Sequence, residues 1–398
     1  MTNIAACVDS IGPQGAQTPP GGRFVAVPGE TIACTGWAFD PSQPSSAVSL
    51  TAVVDGVPVE SSCERLPRSD VARHYGVGNL APAGFRLSFT TAGISLGAHA
   101  LKLQVTGAAG SAAAYGPFPF EIVSREALRR TSVPRILIAA APKSGCTNAA
   151  VVLKKYFDVE NVNAHFYPYA EHMLDDGVMK QLEGKSWVMQ MHLWPREPNL
   201  ANIRKHRVAT IVTWRNLADT IVSFDDHLRR EWGGVGGGPE VYLGKRELWN
   251  EVPQQRRYEF LIRNLVPWYT GFYRAWRDSG QVDLVMRYER MAVDETAYFS
   301  TILEHLYGIV DREKLERAIA ASNDGAADYS VTRRNVGING RANEKLSDEN
   351  KALLEVTLSS HFDDLHELID ELPWRGGAQA AMDLDPTAWS RLENVRCN

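Results

Sequence analysis

A lysine, two hydroxyl side chains and a glycine stand close together in Pro142-Lys143-Ser144-Gly145-Cys146-Thr147-Asn148. The apolar run before them, Arg135–Ala141, reads as a buried parallel strand, and a helical pattern follows. A loop in that position offers the free N–H groups of a helix start, and Lys with Ser and Thr hydroxyls suits a phosphate. It is not the GxxxxGK[ST] loop, which needs Gly at 137 and 142, where Leu137 and Pro142 stand. A plain turn with a surface lysine is the other reading. Arg215 ends a second apolar run, Val208–Trp214, where an acidic metal ligand of a nucleotide hydrolase would be expected. Ser223 lies eight residues on, in a helix-compatible segment. A strand-end guanidinium and a hydroxyl two turns into the next helix can converge on one anion. A capped helix with an ordinary surface arginine is the alternative. His192 follows a third run, Ser186–Met191, and its imidazole titrates near neutrality, so it could take and hold a proton. A histidine satisfied at a strand end is the alternative there.

Taken together, these segments resemble the PAPS-dependent sulfotransferase family, in which PAPS is 3′-phosphoadenosine 5′-phosphosulfate. Residues 142–148 are similar to its 5′-phosphosulfate loop, usually PKSGTTW. Arg215-Asn216-Leu217-Ala218-Asp219 with Ser223 resembles its 3′-phosphate motif, and Tyr288-Glu289 its YED segment, whose Tyr lies near the adenine. The order and spacing agree over roughly residues 134–370. The resemblance implies PAPS as co-substrate, PAP as product and no metal. It places Lys143, Ser144, Gly145, Cys146, Thr147, Asn148, Arg215, Ser223 and Tyr288 around the nucleotide. The family's C-terminal basic loop, RKGxxGxW, has its counterpart in Arg333-Arg334-Asn335-Val336-Gly337-Ile338-Asn339-Gly340-Arg341. There Asn335 replaces the first Gly and no Trp follows, so Arg333, Arg334 and Gly337 are expected at the 3′-phosphate, with Arg341 a further choice. His192-Leu193-Trp194-Pro195 resembles the segment carrying the catalytic histidine, with Gln190 where the family has Lys and Trp194 inserted before Pro195. Glu171 and His172 are alternative bases. Lys143, at the bridging oxygen, is expected to stabilise a leaving phosphate that carries several charges.

Other groups invite chemistry less directly. Asp225-Asp226-His227 has the residue types of a metal cluster but reads as a solvated helix face. Cys146 stands at a helix start, where a thiolate is favoured, yet it occupies the family's Thr position, so a loop contact is expected rather than nucleophilic chemistry. Trp268, Tyr269, Phe272, Tyr273 and Trp276 fall at helical spacing and read as core, with one or two lining an acceptor pocket. Gly233-Gly234-Val235-Gly236-Gly237-Gly238-Pro239 is expected to be a mobile lid over that pocket, with a disordered surface loop as the other reading.

The elements that must position these residues follow from the same patterns. Strand-like runs at 135–141, 186–191, 208–214 and 282–288 alternate with helical patterns around 147–157, 217–230, 255–278 and 294–307. That alternation implies an α/β fold, a P-loop-like parallel sheet flanked by helices, over residues 132–372. Ser347 reads as the cap of a late helix, and 373–398 as a tail. Residues 22–125 have a different grammar: short alternating strands, as in Leu101, Leu103 and Val105, broken by turns such as Asp55-Gly56. They read as a β-sandwich and resemble an Ig-like accessory domain, with Trp37 in its core, while residues 1–20 read as a loose lead-in. The 398 residues carry 42 Lys+Arg against 47 Asp+Glu, a net charge of -5, which excludes no anionic ligand because binding depends on where the basic groups sit. Five cysteines without CxxC spacing argue against a disulfide scaffold or zinc site. No long apolar run or basic leader is present, so the expectation is a bacterial-type cytoplasmic enzyme with no membrane span and no nucleic-acid partner. The acceptor is expected to be a saccharide or glycolipid, favoured by the accessory domain, with a small alcohol or phenol as the other choice. A nucleotide- or glycan-binding module without turnover competes with the enzyme, whereas a P-loop kinase is disfavoured by Leu137 and Pro142.

Overall fold

The computed structural model describes residues 4–14, 19–108, 110–130, 133–159, 162, 164, 173–231, 246–324, 339–361 and 365–375. The chain divides into two compact units, Met1–Thr131 and Ser132–Asn398.

The first unit is built from β1 (Ala5–Pro13), β2 (Phe24–Ala26), β3 (Thr31–Phe39), β4 (Ser49–Val54), β5 (Val57–Pro58), β6 (Ser61–Leu66), β7 (Gly84–Thr90), β8 (Gly97–Thr106) and β9 (Ala112–Ile122), with helices α1 (Ser69–Tyr75) and α2 (Arg125–Arg130). They form two sheets, ordered β1-β3-β7-β6 and β2-β9-β8-β4-β5. Ile32, Cys34, Phe85 and Leu87 of one sheet join Leu50, Ala52, Leu101 and Leu103 of the other in a single apolar cluster. Alternation of inward apolar and outward polar residues is what lets each sheet cover the other. The lead-in expectation is corrected: Ala5–Pro13 is a strand paired antiparallel to β3. A register shift between Val8 and Ser10 brings Val8 and Ile11 inward together. Their spacing of three residues hides the strand from a period-two reading. Trp37 is only partly buried and packs on a satellite cluster of Phe39, Val71 and Ala83.

The second unit is mixed α/β. Its strands are β10 (Arg135–Ala140), β11 (Trp187–Met191), β12 (Ala209–Trp214) and β13 (Leu284–Arg287), all parallel, in the order β11-β10-β12-β13. Between and after them run α3 (Cys146–Phe157), α4 (Asp176–Gln181), α5 (Glu197–Lys205), α6 (Leu217–Glu231), α7 (Arg246–Glu251), α8 (Gln254–Asp278), α9 (Tyr288–Val293), α10 (Glu295–Tyr307) and α11 (Arg312–Asp324). Further helices follow, chief among them Asp348–His361, where the Ser347 hydroxyl accepts from the Asn350 backbone N–H at 3.3 Å, as a cap should. Each central strand is apolar on both faces. In β10, Leu137 and Ala139 join a cluster with α6 and α8, while Ile136, Ile138 and Ala140 join another with α3, α10 and α11. Burial on both faces explains why these runs read as continuous apolar stretches. Among the described residues, no helix is long and apolar enough to cross a membrane.

Candidate functional site

Four adjacent parallel strands end at the same edge of the sheet, and each end leads into a residue singled out above. β11 is followed by His192, β10 by the 142–148 loop, β12 by Arg215 and β13 by Tyr288. Register fixes this alignment: Ala139 pairs with Met191, Ala140 with Thr213, and Trp214 with Arg287. In open α/β sheets this carboxyl edge is where ligands bind.

The loop itself is tightly determined. Lys143 adopts φ 64°, a left-handed conformation that costs a non-glycine residue about 1–2 kcal/mol, so the surroundings must hold it. Gly145, at φ 80°, precedes α3, and a Cβ there would lie 2.4 Å from Met291 Cε and 2.7 Å from Tyr288 Cδ2. Only glycine lets the loop lie against the Tyr288 segment. Three consecutive carbonyls of the strand end and loop are each taken by a side chain. His192 Nδ1 lies 2.7 Å from the Ala140 oxygen, Ser144 Oγ donates to the Ala141 oxygen at 2.6 Å, and the Tyr269 hydroxyl donates to the Pro142 oxygen at 2.9 Å. A carbonyl only accepts, so Nδ1 carries the hydrogen and, in the neutral ring, Nε2 holds the lone pair.

Some loop side chains turn inward. Ser144 is buried and its hydroxyl also meets Thr213 Oγ1 at 2.7 Å. Asn148 donates to Glu295 Oε1 at 2.9 Å and accepts from Ser322 Oγ at 3.1 Å, joining α3 to α10 and α11. Burial pushes the Cys146 thiol up, against the opposing pull of Lys143, so this cysteine stays protonated. What the loop can present to an anion is therefore its backbone N–H groups with Lys143 and Thr147.

On the neighbouring strand the Arg215 guanidinium lies over the Tyr288 ring, 4.2 Å from its centroid, and Arg215 Nη2 is 3.9 Å from Asp219 Oδ2. Ser223 is buried in α6, two turns along. Asn216 anchors this corner: its backbone N–H and its side-chain amide both donate to Glu289 Oε1 at 2.9 Å, tying the end of β12 to that of β13. Asp219 then accepts from the Gly340 and Ala342 amides at 2.7 and 3.0 Å. The end of the basic loop is thereby fastened to α6, and Arg341 pairs with Asp226 at 2.8 Å. Arg333, Arg334 and Gly337 lie outside the described residues, as do Glu171, His172, the segment 233–239 and the tail from 376 onward.

Sequence reasoning missed several of these contributors. Asp219 and Glu289 stand inside the quoted motifs but are given no role there, and Thr213, a polar residue near the end of an apolar run, is passed over. The expectation of a solvated 225–227 face is corrected. Asp225 is fully buried and takes Arg257 in a two-pronged pair, at 2.6 and 3.0 Å, with the Trp249 indole N–H also donating to it at 3.0 Å. The pairing residues lie some thirty positions away, beyond the reach of local pattern. Among the described residues, no group of three or more His, Cys, Asp or Glu is placed to hold a metal ion.

No protein-family model matches the chain, and no curated protein matches it. Among solved structures, the crystal structure of mouse sulfotransferase SULT7A1 complexed with PAP is similar at 12% identity and a TM-score of 0.43, covering 65% of this chain and 98% of that one. A family 123 glycoside hydrolase from Clostridium perfringens, described for glycolipid glycan hydrolysis, is similar at 11% identity and a TM-score of 0.20, covering 52% of this chain and 38% of that one.

Proposed function

We propose that the second unit is a sulfotransferase that moves a sulfuryl group from PAPS to an acceptor hydroxyl. The observation that carries this is the common edge at which four parallel strands deliver His192, the Lys143 loop, Arg215 and Tyr288. Backbone amides at the start of α3, with Lys143 and Thr147, would hold the 5′ phosphosulfate. Arg215, with Ser223 and the arginines at 333 and 334, would hold the 3′ phosphate, and Tyr288 would lie against the adenine. In the reaction, His192 Nε2 takes the hydroxyl proton, the acceptor oxygen forms a bond to sulfur, and the bond from sulfur to the bridging phosphate oxygen breaks. Lys143 offsets the charge that develops on that oxygen, and PAP departs. A saccharide or glycolipid is the proposed acceptor. Engagement of Ser144 and Asn148 within the protein favours a second reading, nucleotide binding without turnover.

The test is incubation with labelled PAPS and a panel of glycans, lipids and phenols. Sulfation of a glycan is the expected outcome. His192→Ala should lower turnover by about 10²–10⁴-fold while leaving PAP affinity intact. Full activity in that variant would remove His192 as base. PAP binding with no sulfated product from any acceptor would favour the binding module.

A further inference from the structure

We propose that Tyr269 is a positioning residue for the donor loop, one side of a frame that locks Lys143 and His192 to a common reference. This rests on the function proposed above. Lys143 sits in a left-handed conformation that side-chain residues rarely adopt, and its φ rotation begins at the Pro142 peptide. Proline has no N–H of its own, so the Pro142 carbonyl is the group by which that residue can be held through a backbone hydrogen bond. Tyr269, 1% exposed and in the middle of α8, donates its phenol to that carbonyl at 2.9 Å. The same helix donates the Trp276 indole N–H to the Leu193 carbonyl at 2.9 Å, next to His192, and His192 reaches the carbonyl of Ala140, the end of the strand that leads into the loop. One rigid helix thus touches the backbone beside the lysine and beside the base, and the base touches the strand that carries the lysine. The Trp214 and Tyr273 rings, tilted at 59° with centroids 4.7 Å apart, add a contact between α8 and the strand that delivers Arg215. Both substrates would therefore be gripped by groups whose separation α8 sets.

The prediction separates donor from acceptor. Tyr269→Phe keeps the ring and its packing but releases the carbonyl. Loss of one hydrogen bond of about 0.5–1.5 kcal/mol should weaken PAP binding about 2- to 10-fold and raise the donor KM to match, with the acceptor KM unchanged. Thr270→Val is the control. Its hydroxyl donates only within α8, to the Val266 and Pro267 carbonyls at 2.8 and 3.1 Å. That variant should move the melting temperature without changing PAP affinity. Calorimetric titration of PAP into the full-length protein and both variants reads this directly, with melting temperatures measured alongside. Equal PAP affinity in wild type and Tyr269→Phe overturns the positioning role. Equal weakening in Tyr269→Phe and Thr270→Val does so as well, because it marks a general loss of stability. Absence of PAP binding by the wild type overturns the proposed function and this inference together.

Discussion

Gly145 shows how much a single position can decide. Its φ of 80° is costly for any residue with a Cβ, and the two nearest atoms belong to Met291 and Tyr288. Met291 Cε is the end of a flexible chain and can move, whereas the Tyr288 ring is stacked beneath Arg215 and has little freedom. Gly145→Ala should therefore destabilise the protein by about 1–3 kcal/mol and tilt Tyr288 away from its arginine. Chemical denaturation measures the first effect, and, on the function proposed above, the affinity for PAP measures the second. Cys146, one residue on, is a test of protection. The structure buries it and raises its thiol, while Cys7 and Cys63 are exposed. Alkylation of the folded protein at pH 8 should mark Cys7 well before Cys146, which should react only after unfolding. Rapid labelling of Cys146 in the native state would contradict its placement.

Elements explain what the sequence made visible and what it hid. Each of the four parallel strands and helices α3, α6, α8 and α10 could be placed from apolar runs and helical spacing, because burial on both faces leaves a strong local signal. β1 escaped because a bulge breaks its alternation, and α11 escaped because Arg312–Asp324 is mostly polar, with Leu315 as its deepest side chain. Of the site, the residues at strand ends were legible, since motif and strand boundary coincide there. The internal uses of Ser144 and Asn148 were not, because their partners Thr213, Glu295 and Ser322 are distant in the chain. The buried pair of Asp225 on α6 and Arg257 on α8 is the most consequential contact of this hidden kind. Asp225→Ala would leave the guanidinium buried without its carboxylate, and should cost about 3–5 kcal/mol, read as a fall in unfolding free energy. Replacing both residues with apolar ones should restore much of that loss, which a double-mutant cycle would measure.

For the molecule as a whole, each of the two compact units carries its own apolar core, so scanning calorimetry should resolve an unfolding transition for each. Acid acts on the second unit through Asp176. Hydrogen bonds from Lys205 and His206 hold its carboxyl well below the usual carboxylate range. A depressed folded value means the stabilisation is complete above the unfolded value of about 3.9 and fades as pH falls through the folded one. Asp176→Asn should thus lower the melting temperature at neutral pH, and the gap from wild type should close in strong acid. A gap independent of pH would remove the carboxylate as its cause. The pairing of Trp214 with Arg287 and of Ala140 with Thr213 has a consequence for how the chain can vary. One extra residue within β12 would carry Arg215 about 3.3 Å along the strand and turn it to the opposite face of the sheet. Every motif would still be spelled correctly in such a chain, yet the site would be dismantled. Deletions and insertions in the strands should therefore be far rarer among working descendants of this protein than changes of the letters themselves.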